Sequence, residues 1–257
     1  MNTNAYRLFV ACLLGCLTTD LGRCQADWEC FLNGGRPITD AGEVPMEWST
    51  TQNIAWKTPI PGYGQSSPVL WQDRVYVTSV EGENKEQFHL TAIRITDGNT
   101  LWTKSFAAST QVKNSYYTSR AAPTPAVDSN GVYVFFESGD CVSIDHSGQT
   151  RWQRSLTKDY GDIEAKFGLG ASPGRQGSDE AAARESNLAI RVNHMEGQWE
   201  MEVDWRVRGP MAEEATEERR AAAASFAGPI QYAAIATKGS ILVRTGPTLY
   251  CIRETKP

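Results

Sequence analysis

Short runs in which apolar residues alternate with polar ones, or stand together for a few positions, recur along most of the chain. Residues 67–77 and 124–134 share one layout: Ser or Thr before proline, a short apolar stretch, and then Val-Tyr-Val. Each copy continues with a run that ends in isoleucine and a last run that carries a tryptophan. Runs of this length between turn residues predict β-strands, so each copy predicts four short strands.

A tight turn is expected between the last two strands of each copy. The turn glycines are Gly98 and Gly148, and a tryptophan follows each of them four positions later, at Trp102 and Trp152. Tight hairpins favour a residue that tolerates positive φ. Together with Trp56, these tryptophans are 46 and 50 residues apart, a spacing typical of one propeller blade per repeat. Each ring is expected to pack between adjacent sheets.

The two ends of the chain are predicted to share a further blade. Apolar runs at residues 232–236, 240–245 and 248–252 predict three strands, and no tryptophan strand follows them. The run around Trp56 has no preceding strands of its own. We therefore expect the Trp56 strand to complete the C-terminal blade, which closes the ring and removes an exposed sheet edge.

These features resemble the pyrroloquinoline-quinone-like (PQQ-like) repeat of quinoprotein dehydrogenases and outer-membrane assembly lipoprotein propellers. The resemblance rests on the Gly-x-x-x-Trp hairpin, the Ser/Thr-Pro opening and the Val-Tyr-Val strand, over residues 27–173 and 228–254. Residues 27–34 are also similar to the Trp-x-x-Phe-x-Gly opening of secreted members, with the glycine displaced by one position. The resemblance implies an all-β propeller of four-stranded blades. Relatives usually have seven or eight blades, so this propeller is expected to be incomplete.

The predicted organisation has five segments. They are a signal peptide at 1–26, an N-terminal lead segment at 27–52, PQQ-like blades at 53–173, an atypical charged segment at 174–227, and a C-terminal partial blade at 228–257.

The first segment indicates export. Arg7 precedes an apolar run, and small residues follow near Ala26, which is the layout of a secretory signal. The run is about half the ~20 residues that span a bilayer, so no transmembrane span is predicted. A lipoprotein cleavage site with Cys16 as the lipidated residue is a second interpretation. Either one predicts a periplasmic or extracellular protein.

The net charge argues against nucleic-acid binding, and the cysteine content limits the number of disulfides. A net charge of −5 over 257 residues gives no basic footprint for nucleic acid. Removal of residues 1–26 leaves Cys30, Cys141 and Cys251, which allow at most one disulfide and do not specify the pair. Apolar alternation predicts Cys141 and Cys251 as buried strand residues.

The atypical segment does not fit the repeat. Residues 174–224 contain no Lys and are rich in Arg, Glu and Ala. Trp199 and Trp205 lie in an alternating run that predicts a strand unlike those of the blades. Three explanations stay open: an inserted module replaces several blades, another chain supplies them through self-association, or an altered coding sequence has produced a truncated, non-functional product.

No catalytic or metal-ligating residue is predicted. His89, His146 and His194 are far apart and lie in no recognised metal motif, and His146 is predicted to be a solvated loop histidine. The resemblance to quinoprotein dehydrogenases implies an alternative function, a PQQ-dependent oxidoreductase that holds the quinone with calcium. Outside that alternative no cofactor is predicted, and no cofactor-binding residue is assigned.

The favoured function is that of an exported, noncatalytic propeller that binds a protein partner or acts as a scaffold through loops at the ends of its blades. The connection at residues 109–120 contains Tyr116, Tyr117 and Arg120. Tyr and Arg are enriched at binding hot spots, so this connection is the candidate contact loop for an unidentified protein.

Overall fold

The computed structural model describes residues 28–35, 42–49, 52–112, 120–161, 171–173 and 231–255. The signal peptide, Cys16, Tyr116, Tyr117, His194 and the atypical segment with Trp199 and Trp205 lie outside these ranges. The described elements are β1 (Ile54–Pro59), β2 (Val69–Trp71), β3 (Arg74–Glu81), β4 (Gln87–Arg94), β5 (Thr100–Ala107), β6 (Ala126–Asp128), β7 (Gly131–Phe135), β8 (Asp140–Ile144), β9 (Thr150–Ser155), α1 (Leu156–Tyr160), β10 (Gln231–Thr237), β11 (Ser240–Thr245) and β12 (Thr248–Arg253).

The strands form three four-stranded antiparallel sheets. Blade 1 has the order β2-β3-β4-β5 and blade 2 the order β6-β7-β8-β9. The terminal blade has the order β1-β12-β11-β10, so its outer strand comes from the start of the chain and the other three from its end. The predicted all-β fold of four-stranded propeller blades is confirmed.

All three blades share one register at their tryptophans. Trp56, Trp102 and Trp152 pair with Cys251, Ala92 and Ser143 of the adjacent strand. The register shifts by one residue immediately before each tryptophan. A bulge of this kind redirects the side chain that follows it, so each indole is directed in the same way from its sheet.

Two of the indoles join neighbouring blades. Trp56 Nε1 donates to the Ile95 carbonyl of blade 1 at 2.9 Å, and Trp102 Nε1 donates to the His146 carbonyl of blade 2 at 3.2 Å. The turn glycine of the receiving blade lies against each ring. A Cβ on Gly98 would come within 2.6 Å of the Trp56 indole, and its φ of 74° also favours glycine.

Trp152 differs from the other two tryptophans. Its side chain is 38% exposed, and the contact found for it within the described ranges is with the ring of Tyr133, at 6.4 Å between centroids. The β9 strand that carries it is exposed over most of its length. Any sheet that follows blade 2 lies outside the described ranges, so for Trp152 the packing between sheets stays a prediction.

The openings of successive blades are linked by hydrogen bonds. The Ser67 amide donates to Thr124 Oγ1 at 3.0 Å, and the Thr124 amide donates to Ser172 Oγ at 2.9 Å. Each of these residues precedes a proline, and the first two prolines lie directly before β2 and β6. The Ser/Thr-Pro opening therefore occurs a third time, after blade 2.

The start of the described chain fastens the inner strands together. Trp28 exchanges backbone hydrogen bonds with Leu70 of β2, at 2.9 and 3.4 Å, and the Glu29 carbonyl accepts from the Val127 amide of β6 at 2.8 Å. Trp28 is 5% exposed and belongs to the hydrophobic core. This short segment therefore bridges blades 1 and 2 at their inner edges.

The three cysteines of the described residues are buried free thiols. Cys141 lies on β8 and Cys251 on β12, which confirms both as buried strand residues. Burial raises the pKa of Cys141 to about 12. Because only the thiolate is nucleophilic, this thiol is unreactive at neutral pH.

His146 contributes to the joint between blades 1 and 2. Its ring stacks on Trp71 at 5.5 Å, Nε2 donates to the Asp128 carbonyl at 2.8 Å, and Nδ1 accepts from the Tyr76 hydroxyl at 2.7 Å. The prediction of a solvated loop histidine is wrong, because the turn that carries His146 packs against the neighbouring blade.

Substitution of the tryptophans tests whether the indole joints hold the blades together. Wild type is expected to unfold in one cooperative transition, and Trp56→Ala is expected to lose about 3–5 kcal/mol because it empties a buried site. Trp152→Ala, the matched control, is expected to lose under about 1 kcal/mol because Trp152 is 38% exposed and forms no joint with another described blade. Urea unfolding measures both. Equal losses would contradict the joint, and a non-cooperative wild-type melt would favour the altered-coding explanation.

The half-buried imidazole of His146 predicts acid sensitivity. Burial lowers the pKa of His146 below its usual 6.5, so near and below that pH the unfolded chain binds a proton that the folded chain does not. Stability is therefore expected to fall as the pH drops through about 6.5. His146→Gln should reduce this loss, measured as the free energy of unfolding between about pH 5 and 8. An unchanged slope in the variant would count against the neutral, hydrogen-bonded imidazole.

Candidate functional site

Connecting loops gather at one end of blade 1 and the terminal blade. The connection at residues 60–68 runs from β1 to β2, and the Gly64 amide donates to the carbonyl of Gly246 in the turn after β11, at 3.0 Å. The same connection contacts the far end of the candidate contact loop at Arg120. We call the polar side chains here the loop-end cluster: Tyr63, Gln65, Arg120, Tyr232 and Arg244.

Arg244 is the most buried member of the cluster. It lies on β11 with 0% exposure, its Nε donates to the Gly64 carbonyl at 3.3 Å, and its Nη2 donates to the Thr78 carbonyl at 3.2 Å. Within the part of the chain that the structure describes, its Nη1 has no hydrogen-bond partner. Burial lowers the pKa of Arg244 to about 10, partly opposed by Tyr63. The side chain is therefore a buried cation with unused donors.

Two glycines make room for this arrangement. A Cβ on Gly64 would come within 2.6 Å of Arg244 Nη2, and a Cβ on Gly246 would overlap the Tyr63 ring. The backbone can approach these side chains closely because neither position carries a side chain of its own. The loop-end cluster thus depends on residues from β11 and from the β1–β2 connection.

Two tyrosines lie beside Arg244. Their rings meet edge to face with centroids 5.8 Å apart, and the Tyr63 and Tyr232 hydroxyls are hydrogen-bonded to each other. Burial, together with the Tyr232 hydroxyl, raises the pKa of Tyr63 to about 12, although both nearby arginines act in the opposite direction. Tyr63 therefore keeps its proton at neutral pH and can act as a donor.

Arg120 is the predicted contact residue that the structure describes. Its guanidinium carbon lies 5.3 Å from the centroid of the Tyr63 ring, in cation–π geometry. Its amide donates to Gln65 Oε1 at 2.7 Å, and its carbonyl accepts from the Gln65 amide at 3.0 Å. Arg120 is half-buried against the cluster, while Tyr116 and Tyr117 lie outside the described residues.

A buried ion pair lies close to Arg120. Lys85 Nζ and Glu137 Oε1 are 3.9 Å apart, with side-chain exposures of 3% and 1%. Burial lowers the pKa of Lys85, Glu137 opposes the shift, and Arg120 adds to it. Lys85 therefore has a carboxylate partner, whereas neither Arg120 nor Arg244 forms a salt bridge with any described residue.

The predicted repeat residues lie elsewhere. The joints between blades are formed by Trp56, Gly98, Trp102 and Gly148. Trp152 is on the exposed outer strand of blade 2. None of these residues belongs to the loop-end cluster. Among the residues that the structure describes, no group of three or more His, Cys, Asp or Glu side chains could hold a metal ion.

Sequence reasoning did not find Arg244, Lys85 or Glu137. Arg244 occupies a polar position in an alternating run, the usual pattern of a solvent-facing strand residue. No local signal marks it as buried, because its acceptors Gly64 and Thr78 are distant in sequence.

A protein-family comparison identifies the propeller type. The model for the outer membrane protein assembly factor BamB matches residues 38–253. This chain belongs to the BamB family. The match covers most of the sequence, so the PQQ-like resemblance is confirmed. Members of the family are typically exported. Within the described residues of this BamB-family chain, no helix is long and apolar enough to cross a membrane.

Solved structures give a more distant likeness. Quinohemoprotein alcohol dehydrogenase from Comamonas testosteroni is 14% identical with a TM-score of 0.35, covering 60% of this chain and 22% of that one. Quinohemoprotein alcohol dehydrogenase ADHIIG from Pseudomonas putida HK5 is 15% identical with a TM-score of 0.34, covering 57% and 21%. The BamB-family chain thus aligns with about a fifth of the length of these enzymes. No curated protein matches its sequence significantly.

Substitution of Gly64 tests the packing of the cluster. In Gly64→Ala the new methyl group would be forced against Arg244 Nη2 and the Thr78 carbonyl, so a loss of about 1–3 kcal/mol in the free energy of unfolding is expected. Gly161→Ala is the comparison, since a Cβ there meets nothing within 4 Å and only backbone strain is added. Guanidinium unfolding measures both. A smaller loss at Gly64 than at Gly161 would contradict the close packing.

Proposed function

We propose that this chain is an exported, noncatalytic PQQ-like propeller that binds proteins or acts as a scaffold. The observation that carries the proposal is the match to the outer membrane protein assembly factor family over residues 38–253. An assembly factor acts by holding other proteins, and propellers present the loops at their blade ends for this purpose. The outer-membrane role named for the family favours a periplasmic location.

The anchoring of the candidate contact loop supports its use as a binding element. At its start, the Ser109 amide donates to Asp140 Oδ2 at 2.8 Å, and the Val112 amide donates to the Asn84 carbonyl at 3.0 Å. At its end, Arg120 is fastened to Gln65 by two hydrogen bonds. A loop fixed at both ends loses less conformational entropy when it binds.

The positions of Tyr116 and Tyr117 between these anchors favour a contact role. Their side chains offer large amphipathic contact area at low entropic cost. Arg120, at the edge of the same loop, adds positive charge, so an acidic partner surface fits best.

A separate experiment tests the alternative function, that of a PQQ-dependent oxidoreductase. The purified chain is mixed with PQQ and calcium and then separated from free quinone by gel filtration. Co-elution of the quinone chromophore with the protein would favour the alternative, and its absence would favour the noncatalytic proposal.

Site-specific cross-linking tests the contact loop directly. A photo-reactive benzoylphenylalanine replaces Tyr116 or Tyr117 in the full-length chain, expressed in the envelope of the cell that produces it. Irradiation is expected to give discrete adducts with proteins of outer-membrane assembly, because we expect these two positions to contact the partner.

Lys158, an exposed residue of α1, is the control position for the same cross-linker. Few or no adducts are expected there. The same adducts from all three positions, or none from the loop, would contradict the contact role. The double variant Tyr116→Ala/Tyr117→Ala should lose the partner in co-purification while keeping its melting temperature.

A further inference from the structure

The unused donors of Arg244 are the first sign of a binding site. Its guanidinium is fully buried and donates to two backbone carbonyls, yet Nη1 has no hydrogen-bond partner among the described residues. A buried charged donor without a partner is costly, and native structures rarely leave one unless something else supplies the acceptor.

A second cation and two hydroxyls face the same region. Arg120 lies over the ring of Tyr63, and the charge of Arg244 also acts on the hydroxyl of the same tyrosine. The Tyr63 and Tyr232 hydroxyls carry two protons between them, and their mutual hydrogen bond uses only one. One hydroxyl proton thus stays available alongside the guanidinium donors.

The charge balance distinguishes this region from the rest of the end face. The nearby cation Lys85 has Glu137 at 3.9 Å, so that pair is close to neutral. Arg120 and Arg244 form no salt bridge in the described chain, although the protein as a whole has a net charge of −5. Two uncompensated guanidinium groups around one tyrosine create a local positive potential in a low-dielectric setting.

We infer that the loop-end cluster binds an oxyanion, with the Arg244 and Arg120 guanidinium groups and the Tyr63–Tyr232 hydroxyl pair as its donors. Guanidinium groups match the oxygens of carboxylate and phosphate in geometry and charge. Tyr63 and Arg120 are half-buried at this end of the blades, and Arg244 is fully buried beneath the exposed surface. This inference goes beyond the scaffold proposal and concerns the isolated chain.

Calorimetric titration of the full chain tests the site. Sodium phosphate and sodium acetate are titrated separately at constant ionic strength in a chloride buffer, so that the two oxyanion classes are compared directly. Saturable binding of at least one is expected. Arg120→Met and Arg244→Met should each weaken it roughly ten- to a hundredfold, the usual effect of losing a hydrogen bond to a charged group.

Arg151→Met is the matched control, because Arg151 is an exposed arginine of β9 and its removal changes the net charge equally. It should bind the anion as wild type does. Tyr63→Phe keeps the ring under Arg120 and removes one hydroxyl donor. If Arg244→Met does not fold, the anion affinity of Tyr63→Phe tests the site in its place, and a weaker affinity than that of wild type is expected. Equal affinity in Arg151→Met and Arg120→Met would overturn the site. So would a wild type with no saturable heat, which would leave Nη1 to a buried water.

The cross-linking experiment tests the scaffold role, and the titration tests the oxyanion site, so the two results are independent of each other. A chain that binds the oxyanion but gives no loop adducts would keep the site and lose the scaffold role. The reverse result would keep the scaffold role and remove the site.

Discussion

The docking of an indole onto the turn glycine of the next blade is the interaction on which the rest of the propeller depends. Each four-stranded sheet exposes two faces and cannot bury both alone, so its stability comes from its neighbours. The Trp56 and Trp102 joints supply apolar contact and a directed hydrogen bond at once. A second set of hydrogen bonds, from Ser67 to Thr124 and from Thr124 to Ser172, links the Ser/Thr-Pro openings in the same order along the chain.

Joints of this kind fix the ends of the strands, and the loop-end cluster relies on that rigidity. Arg244 on β11 can stay buried because its guanidinium donates to the Gly64 carbonyl and to the Thr78 carbonyl of β3. The cluster is thus built on sheet ends and tied loops. Its charge is localised where two blades meet, which is a common position for binding sites on repeat scaffolds.

Most of the fold could be predicted from the sequence, because its signals are local and repeated. Turn glycines, strand alternation and tryptophan spacing marked blades 1 and 2, and runs at 232–236, 240–245 and 248–252 correspond to β10, β11 and β12. The cluster could not be predicted in the same way. The burial of Arg244 and the packing of His146 depend on partners in other blades, and neither side chain carries a local mark of its surroundings.

The terminal blade, which combines strands from both ends of the described chain, differs from the other two at its turn. Its Arg253 amide donates to the Asn53 carbonyl, just as the Arg94 and Asp145 amides donate to Asn99 and Gln149 in the other blades. By that equivalence Gln52 occupies the place of the turn glycine, four residues before Trp56. At this position the terminal blade carries an exposed amide side chain, whereas blades 1 and 2 carry a glycine that lies against an indole. Among the three described blades, the terminal blade is therefore chemically distinct in the turn that receives an indole elsewhere.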